Sequence, residues 1–190
     1  FKNISIDFLF PLLFSFFYGS VLFLLSSLSN EKVNRIAAIV LTALSSLCYC
    51  IQLVYFSIFH TPLSLYSLRG AAEAMQLSSI VFPAILKNMA AIILLFVPLL
   101  YLIKYYRKIS FTKLRIPYFY YALIFCLVSY ITAIEGVRVT DKTDISQYTL
   151  YYNIVLPQSS VDKLGLATTM RIDFQRLVFG FEQKSYGEEN

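Results

Sequence analysis

The stretch KYYRKISFTKLR, residues Lys104–Arg115, decides how the rest of the chain is arranged. It carries five lysine and arginine residues and no acid, and it lies between two strongly apolar segments. Short membrane loops that are rich in lysine and arginine stay on the cytoplasmic side of the bilayer. We therefore predict that this loop is cytoplasmic and that the residues after Glu135 lie outside the cell.

The composition is that of an integral membrane protein. Hydrophobic residues make up 58% of the 190 residues and charged residues only 14%, whereas a soluble domain is about half apolar and about a quarter charged. The apolar excess is concentrated in four blocks, each close to the length that a helix needs to cross the hydrocarbon layer. We predict an all-α membrane protein with interfacial helices and four transmembrane helices, at about residues 8–28, 36–59, 88–105 and 118–134.

The net charge of +5 fits this topology better than it fits nucleic-acid binding. Most of the excess lies in the two loops predicted to be cytoplasmic, which hold Lys32, Arg35 and the five cations of Lys104–Arg115. The positive-inside rule and anionic lipid account for such charge. The tyrosines beside these cations are typical of an interfacial belt, so we expect no nucleic-acid partner.

Residues 60–87, between the second and third predicted spans, form a predicted outward loop in the headgroup region. The loop is too polar to span, because it carries Arg69 and Glu73, yet too apolar to float free. Lys87 marks its end, since a charge deep in hydrocarbon is costly. We take Arg69, Glu73 and Lys87 as candidates for contact with an anionic lipid headgroup, which the two cations would bind through charge-assisted hydrogen bonds. The alternative is that both cations only snorkel to the interface.

The character of the chain changes at Gly136, and residues 136–190 form a predicted extracellular juxtamembrane segment and linker. Pro157-Gln158-Ser159-Ser160 supplies capping residues for a further helix. Apolar residues then recur at helical spacing, with Leu164, Ile172 and Phe179 off the main stripe. A helix that is apolar on more than one side lies on the membrane, packs against another domain, or does both.

The chain carries no recognisable catalytic signature, such as HExxH, a Gly-rich phosphate loop or a Ser/His/Asp arrangement. No acid lies in the middle of a predicted span, which argues against a proton-coupled transporter. Cys48, Cys50 and Cys126 all lie inside predicted spans, where cysteine usually packs as a small apolar residue. We therefore assign no catalytic, cofactor-binding or metal-binding residue.

Two segments of the chain are similar to a known family. Tyr49–Gln76, YCIQLVYFSIFHTPLSLYSLRGAAEAMQ, resembles the outward junction between transmembrane helices of the lipoteichoic acid synthase family. Lys87 resembles a basic residue at the start of the next family helix. Ser160–Phe179, SVDKLGLATTMRIDFQRLVF, resembles the juxtamembrane stretch before the family's extracellular domain. The four predicted spans would match the family's spans two to five, so we expect at least one more span upstream of Phe1.

The resemblance implies that this chain is the membrane part of a larger enzyme. Members of the family are plasma-membrane enzymes of Gram-positive bacteria that move glycerol phosphate from phosphatidylglycerol onto a lipid-linked polymer outside the cell, during cell-wall biogenesis. Their extracellular half resembles sulfatases and alkaline phosphatases and uses manganese, but that α/β domain is not in these 190 residues. The partners implied are membrane phospholipid and the protein's own catalytic domain.

Two other readings stay open. A related phosphoethanolamine transferase or primase of the same architecture has a membrane part of this kind. A protein of a different class, a free-standing membrane scaffold or transporter component, also fits the apolar blocks. The reading frame beyond Asn190 discriminates between the classes, because a downstream domain with a Thr/Asp/His metal site supports the enzyme. The sequence does not set the oligomeric state.

Overall fold

The computed structural model describes residues 8–64, 78–140, 146–152 and 157–180, and these residues form helices and connecting turns with no strand. The α-helices are α1 (Leu9–Leu25), α2 (Glu31–Phe59), α3 (Ser78–Lys87), α4 (Met89–Tyr105), α5 (Ile116–Val139), α6 (Gln147–Tyr152), α7 (Pro157–Leu164) and α8 (Leu166–Phe179). The predicted all-α class is confirmed for this part of the chain.

Two helices are long and apolar enough to cross a membrane, α2 with 29 residues and α5 with 24. The pair α3 and α4 passes the same test together, although the two helices meet at a bend of 71°. The remaining apolar helix, α1, has 17 residues, slightly fewer than the ~20 that usually span the hydrocarbon. The structure therefore supports a membrane protein with two or three spanning helices, and a fourth span at α1 stays a prediction.

Helix α2 begins and ends at residues with clear local reasons. The side-chain oxygen of Asn30 accepts a hydrogen bond from the Val33 backbone N–H at 3.1 Å, which is the usual N-cap arrangement. Glu31 follows in the first turn and pairs with Arg35 at 2.9 Å. At the other end His60 adopts the left-handed conformation, with φ 55°, and its N–H donates to the Phe56 carbonyl at 2.9 Å. The N-terminal cap places the start of α2 at Glu31, five residues before the predicted start of the span at residue 36.

The helices pack most closely as two pairs, α1 with α5 and α2 with α4. In the second pair Ser46 Oγ donates to the Leu95 carbonyl at 2.9 Å, and Asn88 Nδ2 donates to Ser57 Oγ at 2.8 Å. Such polar bonds between apolar helices are common in membrane bundles. Asn88 also occupies the break between α3 and α4, directly after Lys87, the predicted end of the outward loop.

The two basic loops lie together at one end of the helices, which we name the basic end. The buried side chain of Asn34 donates from Nδ2 to the Phe111 carbonyl at 3.1 Å. The Arg35 guanidinium lies over the Phe111 and Tyr106 rings, 5.9 and 5.5 Å from their centroids. These contacts join the start of α2 to the loop Lys104–Arg115.

The main buried core lies at the opposite end, where α6, α7 and α8 fold back onto the start of α1 and the end of α5. We name these three helices the helical cap. The core residues are Phe10, Phe14, Ala133, Val137, Leu150, Leu164 and Ile172. Along α2, α4 and α5 many large apolar side chains are exposed instead, as expected for helices whose outer faces contact lipid. The described part of the segment predicted to be juxtamembrane is therefore docked on the bundle.

Two glycines permit this docking. A Cβ atom on Gly136 would lie 2.9 Å from Cε1 of the buried Phe10 ring, so α5 approaches α1 closely only because that atom is absent. Gly165, between α7 and α8, has φ +84°, a conformation that L side chains rarely adopt. A Cβ at Gly165 would lie 3.5 Å from Cα of Pro11. The turn of the cap is thus fitted to the first turn of α1.

Candidate functional site

Arg171 lies on α8 where the helical cap meets the bundle, and its guanidinium bonds to two tyrosines from other helices. Nη2 donates to Tyr151 Oη at 2.7 Å and Nη1 to Tyr130 Oη at 3.4 Å. The guanidinium carbon is 5.4 Å from the centroid of the Tyr151 ring. Nε is buried and has no hydrogen-bond partner among the described residues.

No carboxylate in the described ranges forms an ion pair with Arg171. Ion pairs in those ranges join Arg35 to Glu31 at 2.9 Å and Arg138 to Glu135 at 2.6 Å. Arg171 is half-buried, and a buried charge is ordinarily paired with an opposite charge. Hydrogen bonds to neutral phenols leave its positive charge without a counter-ion from this part of the chain.

The protonation states keep that charge in place. Burial acts to lower the pKa of Arg171, but the hydrogen bond and interaction with Tyr151, together with Tyr18 and Tyr130, outweigh it and raise the pKa. Burial also raises the pKa of the Tyr151 phenol, against the opposing effect of Arg171. At neutral pH the guanidinium is therefore charged and the phenol is neutral.

Arg171 lines a cavity of about 400 Å³, which we name the arginine pocket. Its volume falls within the range of small-molecule sites, about 300–1,000 Å³. The lining residues come from α5, α6 and α8 and the end of α8: Tyr130, Tyr151, Tyr152, Arg171, Ile172, Gln175, Arg176, Phe179 and Gly180. The lining thus includes two arginines, three tyrosines and one glutamine, and no acid is among the described residues that line it.

Arg176 is the second cation of the arginine pocket. Its Nη2 donates to the Tyr152 carbonyl at 3.0 Å. Burial lowers the pKa of Arg176, and the nearby Asp173 partly offsets this. Arginine nevertheless stays charged at neutral pH, because its ordinary pKa is above about 12.

Asp173 connects the helical cap to the end of α2. Ser64 Oγ lies 3.0 Å from Oδ1 and 2.9 Å from Oδ2 of Asp173 and donates to this carboxylate. The neighbouring Leu63 is held to α2 by Gln52, which is buried. Gln52 Nε2 donates to the Leu63 carbonyl and Gln52 Oε1 accepts from the Leu63 N–H, both at 2.9 Å. The cap is thus fastened to both helix pairs.

A second cavity, of about 440 Å³, lies between α2, α4 and the helical cap, and we name it the apolar cavity. Most of its lining is apolar, including Leu53, Phe56, Leu95, Val161 and Leu166. A small cavity of about 120 Å³ shares Leu166 and Pro62 with the apolar cavity and shares Arg176 with the arginine pocket. The three cavities therefore follow one another along α8.

Of the three predicted site residues, only Lys87 lies among the described residues. Arg69 and Glu73 lie outside the described residues. Lys87 is the last residue of α3, exposed at the bend before α4. It does not line the arginine pocket. The association of Lys87 with lipid stays a prediction.

Sequence reasoning did not identify Arg171, Arg176 or their tyrosine partners. The only hint was that residues around Arg171, such as Ile172, are apolar off the main stripe, which indicates burial on more than one side. The contact with Tyr130 spans 41 residues of chain, and no local pattern encodes it.

The described residues provide no donor set for the manganese that the resemblance implies. No group of three or more His, Cys, Asp or Glu side chains comes together among them to hold a metal ion. The arginine pocket has the opposite chemistry, because its charged groups are cations and its neutral groups are phenols and an amide. It is suited to an anion.

Comparison of the chain with protein-family models, with curated proteins and with solved structures gives no match in any of the three.

Proposed function

We propose that this chain is the membrane-anchoring part of an enzyme that acts on phospholipid headgroups, and that it positions the lipid for a catalytic domain outside the membrane. The observation that carries the proposal is the docking of the helical cap onto the start of α1 and the end of α5, opposite the basic end. A chain that leaves a spanning helix and is turned back in this way is held at the membrane surface. Whatever follows it is kept near the headgroups.

The orientation in this proposal follows from charge. The basic end lies in the cytoplasm, because short loops with many lysines and arginines are retained there, and the helical cap lies outside the cell. With α1 as a fourth span, both ends of the chain face the exterior. An extracellular catalytic domain is then tethered beside its substrate, and such proximity can replace a search through bulk water.

The finer form of the proposal is a lipoteichoic-acid-synthase-like enzyme, which transfers glycerol phosphate from phosphatidylglycerol to a lipid-linked polymer. It is supported by the sequences of Tyr49–Gln76 and Ser160–Phe179. In this form the manganese and the nucleophile belong to the catalytic domain, and the present chain supplies the anchor and the lipid contacts. A phosphoethanolamine transferase or primase of the same architecture differs in the group transferred, and a free-standing scaffold transfers none.

The test of the function uses the full-length protein reconstituted in vesicles that contain phosphatidylglycerol with a labelled glycerol headgroup. We expect labelled glycerol phosphate to pass to an acceptor and diacylglycerol to accumulate. Turnover of phosphatidylethanolamine in its place supports the related transferase. If the headgroup is transferred from neither lipid, the enzyme proposal is contradicted.

The orientation has its own test. In a variant whose three native cysteines are replaced, single cysteines are introduced at the exposed positions Gln158, on the helical cap, and Ser110, at the basic end. An impermeant maleimide should label Gln158→Cys in intact cells and Ser110→Cys only after lysis. The reverse pattern would place the cap in the cytoplasm and overturn the proposal.

A further inference from the structure

We infer that the arginine pocket is a binding site for a phosphate group, with Arg171 supplying the main charge, and that the phosphate is that of an anionic phospholipid headgroup. The choice of lipid as the source of the phosphate rests on the proposed function. Binding itself needs only the residues of the helical cap and α5.

The first reason is the unsatisfied guanidinium. Arg171 is half-buried, pairs with no carboxylate in the described ranges, and has an Nε without a partner there. Its bond from Nη1 to Tyr130, at 3.4 Å, is long for a hydrogen bond. A planar guanidinium whose donors are only partly used matches the oxygens of a phosphate, which it can bind through two parallel hydrogen bonds.

The second reason is the chemistry of the surrounding wall. Arg176 adds a second positive charge, and the Tyr151 and Tyr130 hydroxyls and the Gln175 amide add neutral donors. The nearest acid on α8, Asp173, lines the small neighbouring cavity rather than the pocket, and it accepts the hydrogen bond of Ser64. Two cations with no acid in the described lining favour an anionic group over a neutral one or an amine.

The third reason bears on the source of the phosphate. Phe179 lines the arginine pocket and is 82% exposed, and Phe174 and Val178 on the same helix are more than half exposed. A helix that combines exposed apolar side chains with basic ones is typical of the membrane interface. The exposed Phe179 therefore gives the pocket an apolar edge that favours acyl chains, and the apolar cavity lies farther along the same helix. A free phosphate ion would gain nothing from these apolar groups.

A structural role is the competing explanation, because Arg171 also joins tyrosines of α5 and α6 and thereby helps to hold the helical cap in place. A purely structural arginine would affect unfolding without changing which lipid is bound. Lipid selectivity and thermal stability must therefore be measured separately on the same variants.

The experiment measures lipid retained by the purified chain in detergent, by native mass spectrometry. The probes are phosphatidylglycerol, diacylglycerol with the same acyl chains, glycerol 3-phosphate and inorganic phosphate. We expect phosphatidylglycerol to be retained and diacylglycerol not. Arg171→Gln should weaken phosphatidylglycerol binding by at least about tenfold, since a charge-assisted pair is lost. The matched control Lys163→Gln removes a cation of the cap that does not line the pocket, and it should bind as the parent chain does.

Each other outcome decides the inference. Equal retention by Arg171→Gln and the parent chain, or equal retention of diacylglycerol and phosphatidylglycerol, overturns it. Displacement of the lipid by inorganic phosphate or glycerol 3-phosphate at comparable concentration keeps the phosphate site but overturns the lipid source. Where Arg171→Gln does not fold, Arg176→Gln takes its place, with several-fold weaker binding expected and unchanged binding contradicting the inference. If the full-length Arg171→Gln enzyme transfers headgroups as fast as the parent enzyme, the inference about the arginine pocket is contradicted, while the proposed function stands.

Discussion

Ser64 and Asp173 are 109 residues apart in the chain, and the hydroxyl of the first donates to the carboxylate of the second, with distances of 3.0 and 2.9 Å to the two oxygens. The bond joins the residues after α2 to the middle of α8. It is a direct link, among the described residues, between the α2–α4 pair and the face of the helical cap that carries Arg176.

Ser64→Ala should destabilise the docked cap. A hydrogen bond to a charged group contributes about 1.5–3 kcal/mol to stability, so thermal unfolding in detergent should occur at a lower temperature. Ser20→Ala is the control, because its hydroxyl bonds to the Phe16 carbonyl within α1, at 2.7 Å. Equal effects of the two substitutions would show that the Ser64–Asp173 bond contributes nothing particular.

Gly136→Ala should destabilise the contact between α1 and α5. The added methyl would meet the buried Phe10 ring at 2.9 Å, and overpacking of this kind costs about 1–3 kcal/mol. Gly19→Ala is the matched substitution, because its added methyl would meet no packed neighbour within 4 Å, and alanine is favoured over glycine in a helix by about 0.5–1 kcal/mol. We therefore expect the thermal midpoint to fall for Gly136→Ala and to rise for Gly19→Ala. A rise for Gly136→Ala would contradict the packing of α5 against Phe10.

Titration of Tyr151 should be displaced to high pH. Because burial raises the pKa of Tyr151 above its ordinary value of about 10, the folded chain holds this proton when the unfolded chain has lost it. The folded chain is therefore expected to lose stability as the pH rises past about 10, because only the unfolded chain releases the proton there, whereas at neutral pH both states hold it and this phenol has no effect. The difference in absorbance at 295 nm between the parent chain and Tyr151→Phe isolates this phenol, and titration below pH 10 would contradict the prediction.

Replacement of Arg69 and Lys87 should lower activity on membrane lipid more than activity on a soluble substrate. If these cations guide phospholipid headgroups, replacing both with alanine in the full-length protein should lower activity on phosphatidylglycerol in bilayers more than on a soluble headgroup analogue. Lys32→Ala, a cation of the predicted cytoplasmic loop, is the control and should leave both activities unchanged. Equal loss on the two substrates would remove the lipid-positioning role of Arg69 and Lys87.

The features that could be predicted from the sequence are those set by local physics. A charged residue in an apolar block is costly wherever it lies, so Lys87 marked the break that the structure has between α3 and α4. The clustering of lysine and arginine predicted that two loops share one side, and Asn34 and Phe111 bring those loops into contact. The start of α2 at Glu31 is also encoded locally, by Asn30 as N-cap followed by Glu31. The apolar pattern alone placed the start of the span five residues later.

The candidate site could not be predicted in the same way. Arg171 acquires its surroundings from Tyr130 on α5 and Tyr151 on α6, and their meeting depends on how the helical cap folds back. That fold depends in turn on the close approach at Gly136 and on the positive φ of Gly165, and the α1 residues that these glycines contact are more than a hundred residues away. Helical periodicity predicts which side of α8 is apolar, but it does not tell which helix that side contacts.

The 71° bend between α3 and α4 has a consequence for bilayers of different thickness. If α4 stands upright, the ten residues of α3, ~15 Å of helix, change depth by only about 5 Å. Helix α3 then lies nearly flat, at a level fixed by how deeply α4 is inserted. A hydrocarbon layer thinner than the length of α4 would force α4 to tilt, and α3 would rotate out of the plane of the bilayer with it.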